Sequence, residues 1–248
     1  MAKEQLMAEE FSLNNRVLLK VDTTPAASAR TYVKLAKGIT SAVDSHNDST
    51  DDTAYLDGGG YGNSDVIGKQ YTCAVSGHRV IGNPAQDYIV GLQGEFGDDA
   101  KTWIQYTKPN GLRITAYVSA TEIVDAGGDA NAKTEFSVNF KGCGAPTIAP
   151  PTSAPELTAS VKAGTVVGTT TFTVSPDPQT NTLAYKLSSA AKTANHYAHS
   201  VGLIAYSSGA DIPAAVDQYL NMYELDANGR IAKFASHKLV ADDIKSGA

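Results

Sequence analysis

The sequence predicts a mostly β protein in two domains. Three observations carry that reading. Stretches rich in β-branched and aromatic residues recur along the chain, one segment alone reads as an amphipathic helix, and a proline cluster separates two β-rich parts. The 248 residues allow one large domain or two small ones, each able to bury a core, and 42% apolar with 19% charged residues is a globular composition. A net charge of −6, with no basic stretch denser than Lys34 and Lys37, excludes a protein that grips nucleic acid through its phosphates. The first ten residues hold three acids and no apolar stretch, so they do not read as a secretory signal. No run approaches the roughly 18 apolar residues of a membrane helix.

Residues 1–143 form the first predicted domain, with residues 1–15 as an N-terminal arm carrying Phe11 and Leu13. Strands are predicted at 16–22, 32–43, 69–80, 102–107, 112–124 and 134–140. Lys108-Pro-Asn-Gly111 is a hairpin turn, because Asn-Gly accepts the positive φ such turns need. The helix is predicted at about 84–93: Asn83 as N-cap, Pro84 in the first position, Gln86 completing a capping box, and Gly94 and Gly97 closing the segment. Tyr88, Ile89 and Leu92 share its apolar face. Together these elements predict a β-sandwich or barrel with one short helix packed on it.

Pro146, Pro150, Pro151 and Pro155 define a linker at 144–155. Proline has no N–H and a fixed φ, so this stretch is expected to be extended and outside any sheet interior. In residues 156–248, strands are predicted at 165–174, 183–187, 218–225 and 230–240, the last two joined by the turn Asp226-Ala-Asn-Gly229, with a turn of helix at 212–216. About ninety residues of strand point to an immunoglobulin-like sandwich. Acidity concentrates in the first part, with a net charge of −5 over residues 1–150 against −1 over 151–248.

The segment 44–65 reads as a long inter-strand loop, beyond the roughly 12–15 residues at which a plain loop becomes uncommon. Asp44, Asp48, Asp51, Asp52, Asp57 and Asp65 give it six negative charges and no positive one, while Tyr55, Leu56 and Tyr61 supply apolar anchors. That combination predicts a loop, mobile alone, that orders by docking on a partner. An EF-hand frame starting at Asp44 fails, with Ser49 where glycine and Tyr55 where glutamate belong; an irregular calcium site stays open on the acid count. Gly58-Gly-Gly-Tyr-Gly62 lacks the Lys-Ser/Thr of a phosphate loop, and Asn47-Asp-Ser49 is a sequon without a secretion signal.

No catalytic constellation emerges. His196 and His199 are three apart, as metal ligands on a helix would be, but only His237 remains nearby in sequence to add an imidazole, so they read as surface residues. Cys73 and Cys143 have no CxxC partner and read as buried, inert thiols. GxSxG, HExxH and Walker sequences are absent. The chain is read as a non-enzyme with no cofactor and no metal.

The order of elements from Arg16-Val-Leu-Leu-Lys-Val-Asp22, through Asn83-Pro-Ala-Gln-Asp-Tyr-Ile-Val90, to Phe136-Ser-Val-Asn-Phe-Lys-Gly142 resembles the major tail tube proteins of long-tailed, non-contractile bacteriophages. The proline-linked domain resembles the immunoglobulin-like decorations of such tails. The resemblance implies a virion protein, made in the host cytoplasm, whose hexameric rings stack into a β-lined tube for DNA ejection. In that frame the 44–65 loop and the 1–15 arm reach neighbouring subunits or rings, and the C-terminal domain projects outward. Implied partners are further copies of the chain, the tape measure protein, the tail terminator and the distal tail or baseplate proteins. Genomic DNA would pass without specific binding, and no membrane is involved.

Three other readings stay open. A cell-surface adhesin or carbohydrate-binding module would use tyrosines such as Tyr197, Tyr206, Tyr219 and Tyr223. An enzyme with scattered residues would draw on His196, His199 or Glu224. A tube of a bacterial injection device would also fit the first domain, although such proteins are usually single-domain.

Overall fold

The computed structural model describes residues 16–247. The chain divides into two compact units, one of Met1–Thr107 with Arg113–Ala149 and one of Lys108–Leu112 with Pro150–Ala248. It is mostly β, with one α-helix among the described residues.

The first unit is a single antiparallel sheet with a helix against it. Its strands are β1 (Leu18–Asp22), β2 (Tyr32–Lys34), β3 (Ile39–Ala54), β4 (Gly62–His78), β5 (Lys101–Thr107), β6 (Arg113–Val124), β7 (Glu135–Gly142) and β8 (Thr147–Ala149), with α1 (Pro84–Gly91) between β4 and β5. Their order is β2-β1-β5-β6-β7-β4-β3, and β8 pairs with β6. Burial alternates residue by residue along β5, β6 and β7, so one face of the sheet is core and the other meets solvent. The core face carries Val21, Ile104, Ala116, Val118, Val138 and Phe140, covered by Ala85 and Ile89 of α1. The sheet curls over this core: the Tyr106 hydroxyl of β5 donates to Ala42 O of β3 at 3.3 Å, joining strands far apart in the sheet order.

The helix begins as its sequence predicts. Asn83 Oδ1 accepts from Gln86 N at 3.1 Å, and Pro84 occupies the first turn. The Gln86 side chain, however, does not close a capping box. It is fully buried, accepts from Val80 N at 2.7 Å, and donates to Lys37 O at 2.9 Å and His78 O at 3.2 Å. It therefore satisfies backbone groups of the turn at Lys37, of Val80 beyond β4 and of His78 at the end of β4. Beside it the chains cross so closely that a Cβ on Gly77 would collide with Gly38 O and Ile39 Cα.

The second unit is a two-sheet sandwich built from β9 (Ala159–Ala163), β10 (Thr169–Val174), β11 (Thr182–Ser188), β12 (Ile204–Tyr206), β13 (Ile212–Pro213), β14 (Tyr219–Leu225) and β15 (Ile231–Lys238). The sheets run β13-β10-β9 and β12-β11-β14-β15, all pairs antiparallel. With β10, β12 and β13 each followed by a crossing to the other sheet, this is the Greek-key order of immunoglobulin-like sandwiches. Phe172 and Ile212 from one sheet meet Leu183, Leu220 and Met222 from the other. Tyr206 pins the layers: its ring stacks on Phe172 at 3.9 Å, and its hydroxyl accepts from Phe172 N at 3.0 Å and donates to Phe172 O at 2.7 Å.

Four local expectations are corrected. Residues 44–65 are not a structureless loop: β3 and β4 pair through Ala54↔Gly62, leaving a short tip. The linker expected at 144–155 supplies β8, which pairs Thr147–Ala149 with Thr115–Arg113, because Pro146 and Pro150 bracket these three residues without interrupting them. Within 212–216 the strand is β13 at Ile212–Pro213 and there is no helical turn, since Pro213 disfavours a helical Ile212. Cys143 is exposed, whereas Cys73 is buried.

Candidate functional site

The segment singled out from the sequence is a projecting β-ribbon. β4 pairs with β7 only from Thr72 to His78, so Gly62–Tyr71 pair with β3 alone. Nine residues of β3 against ten of β4, at ~3.3 Å rise, make a two-stranded arm on the order of 30 Å long. Such a ribbon has no buried face, and nothing in it needs to alternate. Two strands by themselves are marginally stable in water, which favours a surface to lie on.

Its base is anchored. Tyr71 is buried and takes an edge-on contact from His46 at 5.3 Å between ring centroids. Burial, with the Asp44 carboxylate adding to it, pushes the Cys73 thiol up to about 12, and burial foremost also raises Tyr71 and Tyr106. Cys73 is accordingly a packing residue and not a nucleophile.

Along the shaft Lys69 pairs with Asp48 at 3.6 Å. Beyond a register shift at Ser49/Thr50, where Ile67 is the extra residue, Asp51 stands directly opposite Asp65 and Asp52 opposite Ser64. Each of the two facing carboxylates is held from its own strand: Thr53 Oγ1 donates to Asp51 at 2.8 Å and Asn63 Nδ2 to Asp65 at 3.0 Å. Like charges directly opposed in a ladder destabilise it. The tip turns through a single 3-10 turn at Leu56–Gly58, which includes Asp57. Leu56 is fully exposed and Tyr61 84% exposed, with Tyr55, Val66 and Ile67 also largely in solvent. The ribbon thus combines an acidic shaft with an apolar tip. Val66 and Ile67 were not among the predicted site residues; they are the one Val-Ile pair in an otherwise polar stretch, and that pair was the available signal.

Phe11 and Leu13 of the predicted arm lie outside the described residues. His196 lies in a turn, not on a helix, and its ring stacks on Tyr197 at 3.7 Å; His199 bridges to Arg230. Glu224 is buried, with Asn181 Nδ2 at 2.7 Å and Lys233 Nζ at 2.9 Å, so it pins strands together. Of the tyrosines considered for carbohydrate binding, Tyr223 is buried and Tyr206 is the inter-sheet pin. Among the described residues no three of His, Cys, Asp or Glu group to hold a metal ion, and no helix is long and apolar enough to cross a membrane.

Residues 162–242 match the family of the S-layer protein SbsC C-terminal domain. No curated protein matches the chain. Among solved structures, the chain is similar to one in the tail of an empty gene transfer agent particle, determined by helical refinement with C6 symmetry, at 16% identity and TM-score 0.47, covering 56% of this chain and 100% of that one. A chain of the native gene transfer agent virion aligns at 18% identity and TM-score 0.44, with 56% and 100% covered. Domains 7, 8 and 9 of the S-layer protein SbsC align at 18% identity and TM-score 0.37, covering 55% of this chain and 39% of that one.

Proposed function

We propose that this chain is a structural protein of a phage-like tail, whose copies close into rings, hexameric by the family resemblance, that stack into a tube for DNA ejection. The β3–β4 ribbon carries the reading. An arm without a buried face beyond its anchored base, tipped with exposed Leu56 and Tyr61 and shafted with Asp48, Asp51, Asp52 and Asp65, is built to be covered by another molecule, whereas Asp44, opposite Cys73, stays within the sheet. Among the described residues no strand pairs the outer sides of the sheet ends β2 and β3, and ring closure would pair them with a neighbour. In this reading the arm at residues 1–15 adds contacts between rings, and the tape measure, terminator and distal tail proteins bound the tube. A domain carrying most of the acidity suits a conduit that DNA crosses without sticking.

The test is negative-stain microscopy with sedimentation of the purified full chain, fresh and concentrated. Hollow tubes or stacked rings of constant width are expected. A chain that stays monomeric at every concentration, also with its tail partners present, overturns the proposal.

The match of residues 162–242 to an S-layer domain favours a second reading, a module of a cell-surface protein. Binding to cell-wall preparations or to a glycan panel by the chain as a monomer would support it. Tube formation without such binding would remove it.

A further inference from the structure

The solvent face of the first unit's sheet carries a second set of opposed like charges, of the other sign. Lys20 of β1 stands directly opposite Lys34 of β2. Neither lysine pairs with a carboxylate among the described residues. The acid nearest in sequence, Asp22, is fully buried, and its Oδ1 is taken by the Thr24 and Thr31 amides at 3.0 and 2.9 Å. Register places Gln105 beside Lys20, and Trp103, two residues along on the same face, opposite Tyr117. The Arg30 guanidinium lies 3.7 Å above the Trp103 ring, and Trp103 packs on Tyr117 with centroids 5.0 Å apart. The result is a strip with a cationic end and an aromatic floor.

From this complementarity we infer that the Lys20–Lys34 strip of one copy is the seat of the β3–β4 ribbon of another copy, with Asp51 and Asp65 meeting Lys20 and Lys34. The inference rests on the self-association proposed above and names the surface it uses. Two features favour a second copy as occupant. First, each pair is a directly opposed couple in an antiparallel ladder, so both present their side chains at the same cross-strand spacing, ~5 Å between Cβ atoms. Second, each pair is unfavourable while its copy is alone and is neutralised by the other, so association relieves two repulsions at once. The exposed tip residues Leu56 and Tyr61 find apolar surface on the same face at Trp103 and Tyr117. Seating the ribbon there also removes two lysines from any wall that DNA would pass.

The experiment is a charge exchange in the full chain, read by sedimentation velocity and microscopy. K20E/K34E and D51K/D65K are each expected to raise the concentration needed for assembly at least tenfold. A 1:1 mixture of the two is expected to co-assemble at the wild-type concentration, because each then offers the partner charge that the other lacks. The quadruple variant is expected to assemble alone, and its assembly also proves that the exchanged chains fold. Normal assembly of K20E/K34E overturns the inference. So does failure of both the mixture and the quadruple variant, which assigns the strip another occupant such as the acidic segment with Glu4, Glu9 and Glu10. If trimming the ribbon blocks assembly while K20E/K34E does not, the tail proposal stands and only this seat falls. A wild-type chain that never assembles removes both.

Discussion

Replacing Tyr206 with Phe removes a single oxygen from the middle of the second unit. That oxygen accepts from Phe172 N at 3.0 Å and Gly209 N at 3.1 Å and donates to Phe172 O at 2.7 Å. β13 pairs with β10 only at Thr169 and Thr170, so at Phe172 the hydroxyl stands where the backbone of a neighbouring strand would be. Gly209 is exposed and keeps its 3.0 Å bond to Phe172 O, so water and that bond satisfy the outer groups. The N–H of the fully buried Phe172 is left with nothing. An orphaned buried donor costs ~1–3 kcal/mol, and the bond donated to Phe172 O contributes about 1 kcal/mol net. The ring stack is retained by Phe, so packing adds little. The expected loss is about 2–4 kcal/mol, a large share of the ~5–15 kcal/mol that holds a domain. Urea unfolding of the full chain followed by circular dichroism measures it, as a lower midpoint for the second unit with an unchanged slope. A change below about 0.5 kcal/mol would refute the assignment of Tyr206 as a surrogate strand neighbour.

Three further outcomes are expected. Replacing residues 47–70 by Asn-Gly, a cut between register partners that keeps Tyr71 and Cys73, should leave a folded chain by circular dichroism that no longer assembles by sedimentation. Gln86→Met should destabilise the first unit by about 2–4 kcal/mol in the same denaturation assay, since Val80 N, Lys37 O and His78 O all lose their partner. A thiol reagent at pH 8 should modify Cys143 and spare Cys73, as mass spectrometry of the native chain will show. The raised Cys73 pKa also fixes the sign of a pH effect. The folded state holds the proton more tightly, so the contribution of this thiol to stability is intact below its ordinary 9.0 and falls as pH rises from there toward about 12.

The parts of the fold that sequence made legible were those with a buried face or a special turn. β5, β6 and β7 alternate because one side is core, and the turns at 108–111 and 226–229 carry Gly111 and Gly229 at positive φ. The ribbon was hidden for the opposite reason: Ser45–Thr53 is polar on both faces, and pairing with Gly62–Tyr71 leaves no hydrophobic period to read. β8 and β13 are short and flanked or occupied by proline, which argues against strands except at edges. Gln86 looked like a cap because its spacing from Asn83 is that of one; its partners, Lys37 and His78, are brought together only by the fold. Tyr206 and Tyr223 carried no local mark that distinguishes a structural pin from an exposed binding surface. On the candidate site itself, sequence located the acids and the tip residues, but the pairing of Asp51 with Asp65 required the register.

Trp103 gives the molecule an optical property of its own. The chain has one tryptophan, and it lies half-buried beneath Arg30 on the very strip assigned as the ribbon's seat. Its emission therefore reports on a single place in the structure, free of averaging over other indoles. A ribbon laid over the strip would exclude water from that indole and disturb the guanidinium above it, so occupancy of the seat carries an intrinsic fluorescence signature. Assembly can then be followed in real time on the unlabelled native chain, at concentrations too low for scattering to register the first contacts.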